Sequence, residues 1–507
     1  MTQGTGARVP DAAIPAFLAL ALHLRTLAFG LVDLDDRDLL VDDRAFLASP
    51  GSVWRAFGRS YMGVVDLGHA YFRPIVTASY AIDTGPGAGA WRYHLTNVLL
   101  HCAVAALACE VLRSLRFSRG ASVAAACAIA VHPALVPAVA WIPGRNDGLL
   151  AVFGLAAWLA FARGSLALHL VCLAAALFTK ETAFAIPLVC VAHAILAPSA
   201  AQTHAQGTRL GPAYIAGVAV LVVVRLAVRR SDLALAWSDP ATVARVFLAA
   251  LGHLVLPVDP APIYASSDLR LAPGIAAVIA LAWATWRVPG VRRGIVALGA
   301  AVFGAVVLPV AIAGGSLFLD NRLLLPAVGV AIAVVEIGQA VLRETGTRVA
   351  ATAAVLIGFA VVSAGYEGAF AGARPFALAA VAWSPRCALA RVCLGRSYQG
   401  AGEDDRALAE YEEALRLAPA EIAHNNIAVI YMKRGQWDAA ARELDAELTL
   451  NPGYARAYFN RAIVLRREGR SAEACADARR AAALSSDPGR DDLLAEREKD
   501  CARPESP

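Results

Sequence analysis

The charges of this chain are unevenly spread, and that constrains its fold more than any motif. The first 372 residues hold 46 of the 87 Asp, Glu, Lys and Arg side chains, and Lys180 is the only lysine among them. The last 135 residues hold the other 41, 20 basic against 21 acidic. With 58% apolar residues and a mean hydropathy of +0.55, the chain would expose too much apolar surface to water as a soluble protein. The reading is all-α: a polytopic bundle over residues 1–372, followed by a water-exposed domain. The net charge of +5 then belongs to the membrane part and suits its loops. No basic stripe carries interleaved aromatics, so nucleic acid is not an expected partner.

Apolar runs place candidate spans near 14–32, 92–113, 121–142, 147–162, 165–179, 182–198, 211–228, 241–257, 271–287, 294–313, 323–342 and 349–370. The first contains His23 and Arg25 and no small-residue cleavage site follows it, so it reads as an uncleaved span. Arginines gather in three short loops, at 113, 116 and 119, at 287, 292 and 293, and at 343 and 348, and should face the cytoplasm. Residues 33–91, the turn Pro143–Asp147, Lys180-Glu181 and Gly314–Arg322 then fall outside. Twelve full crossings conflict with that placement. Eleven agree if 241–257, which carries Arg245 and His253 and precedes Pro257 and Pro260, is re-entrant or interfacial. Arg229-Arg230 would face outward, against the rule. His132-Pro133 reads as a kink.

A repeat begins after residue 372. Gly402, Gly435 and Gly469, Pro385, Pro419 and Pro452, and Ala407, Ala440 and Ala474 each recur at 33 or 34 residues. Gly395, Ala428 and Ala462 keep the same step. Small residues where paired helices touch, Gly at the inner turn and Pro between units make a tetratricopeptide pattern. About three repeats over 373–486 form an α-solenoid, and 487–507 read as a polar cap or tail. The nine cysteines show no CxxC spacing, which argues against structural zinc.

The outer loop 33–91 carries Asp35-Asp36, Asp42-Asp43, Asp66, His69, Arg73 and Asp83, with aromatics between them. Paired carboxylates serve as a general base for a hydroxyl or as hard ligands for a divalent cation. A solvated acidic loop is the plainer alternative. Arginine suits phosphate because its planar fork donates two hydrogen bonds. Arg145 and Asp147, Lys180-Glu181 and Arg322 lie at span ends on the same face, and His94 and His101 share a helix face with Asn97. Each alone reads as a helix-end anchor or an internal ion pair. Together they read as the lining of a substrate path, because ionisable groups at membrane depth are expensive.

The runs "VDDRAFLASPGSVWRAF", "YFRPIVTASYAID", "YHLTNVLLHCAVAAL", "VHPALVPAVAWIPGRNDGLLA", "LFTKETAFAIPL" and "DNRLLLPAVGVAI", with repeats at the C-terminal end, follow one family's order. The chain resembles the transmembrane and tetratricopeptide-repeat glycosyltransferases of the GT-C type, whose animal members are protein O-mannosyltransferases. The resemblance implies a luminal Asp-Asp doublet at Asp42 and Asp43 and a Tyr-Arg-Pro element at Tyr71 to Pro74, with Phe72 inserted. It also implies a Gly-Arg-x-Asp turn at Gly144, Arg145 and Asp147, a Lys-Glu-Thr at Lys180, Glu181 and Thr182, and a late arginine at Arg322. Two departures stand out: Pro137 or its neighbours where relatives carry an acid, and Leu323 to Leu325 where a tyrosine usually follows the arginine.

The implied activity is an inverting glycosyl transfer from a polyprenyl-phosphate sugar, possibly of mannose, to a hydroxyl of a protein or glycan outside the cytoplasm. Asp43, with Asp42 beside it, would be the base. Arg73, Arg145, Lys180 or Arg322 would neutralise the phosphate, and Tyr71, His94, Asp147 and Glu181 complete the expected substrate site. No cofactor is required, although Asp42 and Asp43 could hold a divalent cation. The repeats would engage the acceptor or partners from the outer side of a plasma-type membrane. The rival is a non-catalytic membrane scaffold whose repeats recruit proteins for envelope or polysaccharide assembly.

Overall fold

A computed structural model describes residues 10–32, 34–59, 61, 71–85, 87, 89–197, 211–227, 238–257, 260–313, 317–318, 320–420 and 422–484. Asp66, His69, Arg229-Arg230 and the tail 487–507 lie outside these residues. The membrane part comprises α1 (Ala13–His23), α2 (Pro74–Asp83), α3 (Ala90–Ser114), α4 (Arg119–Ala130), α5 (Val136–Ala140), α6 (Arg145–Ala162), α7 (Leu166–Leu177), α8 (Ala185–Leu196) and α9 (Pro212–Ala227). It continues through α10 (Pro240–Val255), α11 (Ala272–Arg287), α12 (Arg293–Ala313), α13 (Leu324–Val341) and α14 (Thr345–Glu367). Apart from one short antiparallel pairing of Tyr264–Ala265 with Leu317–Phe318, the described elements are helical.

Each of the twelve apolar segments coincides with a helix or a broken helix. Among the described residues, Ala90–Ser114, Arg293–Ile312, Asp320–Val341 and Thr345–Phe370 are long and apolar enough to cross a bilayer singly. Arg119–Ala130 with Pro133–Ala140 makes a fifth across a 55° bend, at the His132-Pro133 kink. Proline supplies the break, because it lacks the amide and clashes with the preceding turn. Five further apolar helices, α10 among them, have only 10–17 residues. At 1.5 Å per residue these reach about 15–25 Å, less than the ~30 Å hydrocarbon core. Length and composition thus single out four or five spans where the hydropathy pattern marks eleven or twelve. The chain is a multi-pass membrane protein.

The bundle has two chemically distinct ends. At one, Arg292 on the loop before α12 pairs with Glu336 of α13 (2.6 Å) and donates to the carbonyl of Leu115 (3.1 Å), which brings two of the arginine loops together. The other end, at the turn Asp320–Leu323 that leads into α13, carries Asn321 and Arg322. Between them, Val104, Leu155, Leu173, Leu298 and Val328 form a fully buried apolar core.

The solenoid begins with α15 (Ala373–Trp383) and continues as three helix pairs. These are α16 (Ala388–Gly400) with α17 (Asp404–Leu417), α18 (Ala423–Lys433) with α19 (Trp437–Leu450), and α20 (Ala455–Arg467) with α21 (Ser471–Leu484). Gly402, Gly435 and Gly469 turn each pair with φ of 79°, 72° and 77°, a left-handed conformation that only glycine adopts without strain. Ala407, Ala428 and Ala440 are fully buried where helices touch, and a Cβ on Gly395 would meet the Tyr411 ring at 2.5 Å.

The solenoid is not tethered loosely. Phe370, Phe376, Ala380 and Cys387 share one apolar cluster with Val32, Val136 and Trp141 of the membrane part. Asp268 accepts from Ser384 Oγ (2.7 Å) and from the Arg386 backbone and guanidinium (3.0 and 2.6 Å). This geometry places the repeats at the end of the bundle that carries loop 33–91. Phe376→Ala removes the ring at this junction and should cost about 3–5 kcal/mol. Limited proteolysis of the detergent-solubilised chain should then cut within 373–484 at least several-fold faster, and unchanged cutting would show that the ring does not hold the junction.

Candidate active site

The site is built around the first turn of α6. Asn97 of α3 donates from its amide to the carbonyls of Val139, Trp141 and Ile142 (3.3, 3.1 and 3.2 Å), and so fixes the turn that delivers Arg145. Gly144 sits so close to the preceding helix that a Cβ would lie 2.5 Å from the Pro137 carbonyl oxygen and 2.8 Å from Ala138 Cα. Only glycine lets the chain double back there.

Arg145 is fully buried and its donors are committed. It pairs with Asp83 (2.5 Å), donates to Asn97 Oδ1 (3.1 Å), Ser79 Oγ (3.3 Å) and the Tyr93 carbonyl (2.9 Å), and lies over the Tyr80 ring. It is a clamp that fastens α2 of the outer loop to α3, and its donors are not directed at a phosphate. Asp147, one residue beyond Asn146, accepts from Lys180 Nζ (2.6 Å) and from Asn321 Nδ2 (2.8 Å). One carboxylate thereby joins α6, the α7–α8 connection and the entry to α13. Burial depresses the Lys180 ammonium, and Asp147 works against that while Arg73 and Arg322 reinforce it.

Arg73 donates from Nε and Nη2 to Glu181 Oε2 (3.2 and 3.0 Å) and packs against the rings of Tyr71 (4.5 Å) and Tyr61 (5.3 Å). Burial opposes its charge, but Glu181 and the two phenols outweigh it and hold the guanidinium above its usual pKa. Glu181 also takes Arg225 Nη2 (3.3 Å). Arg225 comes from the apolar helix α9 and caps α7 at the Leu177 carbonyl (2.9 Å) and the loop at the Phe72 carbonyl (2.9 Å). Tyr61 receives a hydrogen bond from Asn146 (3.0 Å), and burial pushes its phenol up to about 12.

The doublet expected to be catalytic is otherwise engaged. Asp43, buried, pairs with Arg59 (2.9 Å), whose guanidinium stacks on Phe46 (3.9 Å). Asp42 pairs with Arg456 of the third repeat and lies 4.0 Å from Arg37. These arginines tie up the carboxylates that could have ligated a cation. Among the described residues no three His, Cys, Asp or Glu side chains gather as a metal site. Asp35, in the same loop, lies near enough to Arg73 and Arg322 for both to favour its ionised form. Its neighbour Asp36 is buried and accepts from the Val32 amide (2.7 Å), which fixes the loop. Burial and the adjacent Asp38 push the Asp35 carboxyl up to about 6, against the pull of Arg73 and Arg322.

Two members of the cluster have no hydrogen bond or ion pair among the described residues: Asp35 and Arg322, both partly exposed. His94 stands apart, buried on α3 with Nε2 against the Gly30 carbonyl (3.4 Å) and its ring edge on Phe29. Tyr71, Arg73, Asp147, Lys180, Glu181 and Arg322 are therefore brought together as the sequence reading expects, while Asp42, Asp43, Arg145 and His94 occupy positions that fasten the loop or lie beneath it. Asn146, Arg225 and Asn321 were not singled out by the sequence reading, and Asp35 and Tyr61 stood in its outer loop without an assigned role. A lone arginine in the run "LVVVRLAV" is a signal that could have found Arg225. The two doublets, seven residues apart and each followed by arginine, gave no local basis for choosing Asp35.

Fold and site together define a helical, multi-pass membrane protein whose C-terminal repeats stand over a buried ion-pair cluster. The chain is similar to the transmembrane and tetratricopeptide-repeat protein O-mannosyltransferases. Tmtc2 of Drosophila melanogaster is 35% identical over 185 residues, which is 33% of this chain and 19% of that protein. Tmtc1 of the same organism is 36% identical over 192 residues, 36% of this chain and 22% of the relative. Human TMTC2 is 30% identical over 138 residues, 26% and 16% respectively. The matches thus span about a fifth of each relative's length. No family model matches. Among solved structures, a chain of the APC/C hetero-tetramer Cut9–Hcn1 aligns over 85% of this chain and 94% of its own at 14% identity, with a TM-score of 0.28.

Lys180→Met leaves Asp147 buried with Asn321 as its remaining partner, and breaking such a pair costs about 3–5 kcal/mol. A clear fall in the thermal midpoint in detergent is expected, with partial recovery in Lys180→Met/Asp147→Asn. Equal midpoints for Lys180→Met and wild type would show that the pair is not structural.

Proposed function

We propose that this chain is a membrane glycosyltransferase that moves a sugar from a polyprenyl-phosphate donor to a hydroxyl of a protein or glycan acceptor outside the cytoplasm, with Asp35 rather than Asp43 as its base. The supporting observation is the pattern of commitment in the cluster. Arg73, Lys180 and Arg145 are each held by a carboxylate, whereas Asp35 and Arg322 have no ion-pair partner among the described residues, are partly exposed and are close enough to influence one another. A site awaiting an anion and a hydroxyl needs one free cation and one free base.

In the transfer, the acceptor oxygen attacks the anomeric carbon as the bond from that carbon to the phosphate oxygen breaks. The acceptor proton passes to the Asp35 carboxylate, and the bond's electron pair leaves with the polyprenyl phosphate. Arg322 donates to the departing phosphate, with Arg73 and Lys180 adding positive potential from fixed positions. Charge develops on that phosphate in the transition state, so donors already in place stabilise it without reorganisation. The repeats stand at the end of the bundle that carries Asp35, where they can present a polypeptide or glycan acceptor. Similarity to proteins named O-mannosyltransferases favours mannose.

Purified full-length protein is assayed with a polyprenyl-phosphate mannose and a hydroxyl-bearing peptide. Asp35→Asn should lower transfer by ~10²–10⁴-fold, the usual range for a lost general base, while Asp43→Asn stays within several-fold of wild type. Undiminished transfer by Asp35→Asn removes Asp35 from the mechanism. The base works deprotonated, so the rate should climb as pH rises through about 6, where the Asp35 carboxyl ionises, and a flat profile from pH 5 to 7 would contradict the assignment.

A further inference from the structure

The loop that carries Asp35 touches the solenoid twice within nine residues. Leu34 packs against the cluster of Ala377, Cys393 and Leu394, formed by α15 and the first helix of the first repeat. Asp38 and Asp42, at either end of the π-helical stretch Arg37–Asp42, both receive Arg456, with the Asp38 contact at 3.4 Å. Arg456 lies at the start of α20 in the third repeat, more than 400 residues along the chain. Burial works against its charge, but Tyr454, Asp38 and Asp42 outweigh that and hold it above its usual pKa. The contact is therefore between a half-buried cation and two carboxylates, unlike an exposed surface pair worth only ~0–1 kcal/mol.

We infer that Arg456 is a positioning residue for the site: by holding Asp38 and Asp42 it fixes the turn that presents Asp35 to Arg322, so the solenoid is part of the machinery as well as a docking surface. This rests on the proposal that Asp35 is the base. The groups acting on Asp35 are Asp38 on its own turn, Arg73 and Arg322 from two other segments, and Tyr61. Arg456 acts on Asp35 through Asp38. Arg456 lies 3.4 Å from Asp38, so its positive charge opposes the push that Asp38 exerts on Asp35. Without it, that opposition is lost, the proton affinity of Asp35 rises further, and the turn loses its contacts to the third repeat. Arg37 does not replace Arg456, since it lies 4.0 Å from Asp42 and is itself exposed.

The test uses the full chain in detergent or nanodiscs with Arg456→Gln and Arg456→Lys. Hydrogen–deuterium exchange of backbone amides in 37–47 should quicken several-fold in Arg456→Gln and return towards wild type in Arg456→Lys, with exchange in α6 and α13 unchanged. In the transfer assay the acidic limb should move up by about half a pH unit in Arg456→Gln and be restored by Lys. A merely structural tether would lower the rate without moving the limb, and that result, or unchanged exchange in 37–47, overturns the inference. Quickened exchange in a protein with no detectable transfer supports the positioning contact while counting against the transferase reading.

Discussion

Everything at the polar end of the bundle depends on one helical turn, Arg145 to Asp147. Two opposite charges leave it in different directions. The guanidinium of Arg145 clamps α2 and α3, and the carboxylate of Asp147 draws in Lys180 and Asn321. Four separate stretches of chain are thereby fixed by three consecutive residues. The arrangement is stable because each buried charge meets an opposite one and several hydrogen bonds, the condition under which desolvation is tolerated. Gly144 makes the turn possible by letting the backbone pass within contact of α5.

Saturation of this kind separates structure from chemistry. A buried arginine with its donors in use cannot release them to bind a phosphate without losing several kcal/mol. Arg145 is in that position, and Arg225 is also engaged, with a helix end, a loop carbonyl and Glu181. The groups with spare capacity lie at the edge of the network. The same logic moves attention from Asp43, which Arg59 holds, to Asp35.

Apolar runs marked segments that are helices or broken helices among the described residues, because hydropathy is a one-dimensional property, but only four or five of them are long and apolar enough to cross a bilayer. The 33-to-34-residue step of Gly402, Gly435 and Gly469 located the repeats just as well, since the left-handed turn admits few other residues. What stayed hidden was pairing. Whether Asp35 or Asp42 faces the arginines depends on the path of the loop, and that path is set by Arg456 and Arg59, whose approach no local pattern records. Shared placement of Arg73, Lys180 and Arg322 was legible because arginine-rich loops give each span a direction. The ion pairs among these groups were not, because they follow from helix rotation and tilt.

The two contacts between loop and solenoid have a mechanical consequence. Leu34 is anchored where the solenoid begins and Asp42 on its third repeat, so the short helical turn between them is held at both ends by the solenoid. In a repeat array each unit contacts only its neighbours, and curvature is the sum of small rotations from one unit to the next. Any change in the curvature of this one would shift the two anchors of residues 35 to 41 relative to each other, and with them the turn that carries Asp35.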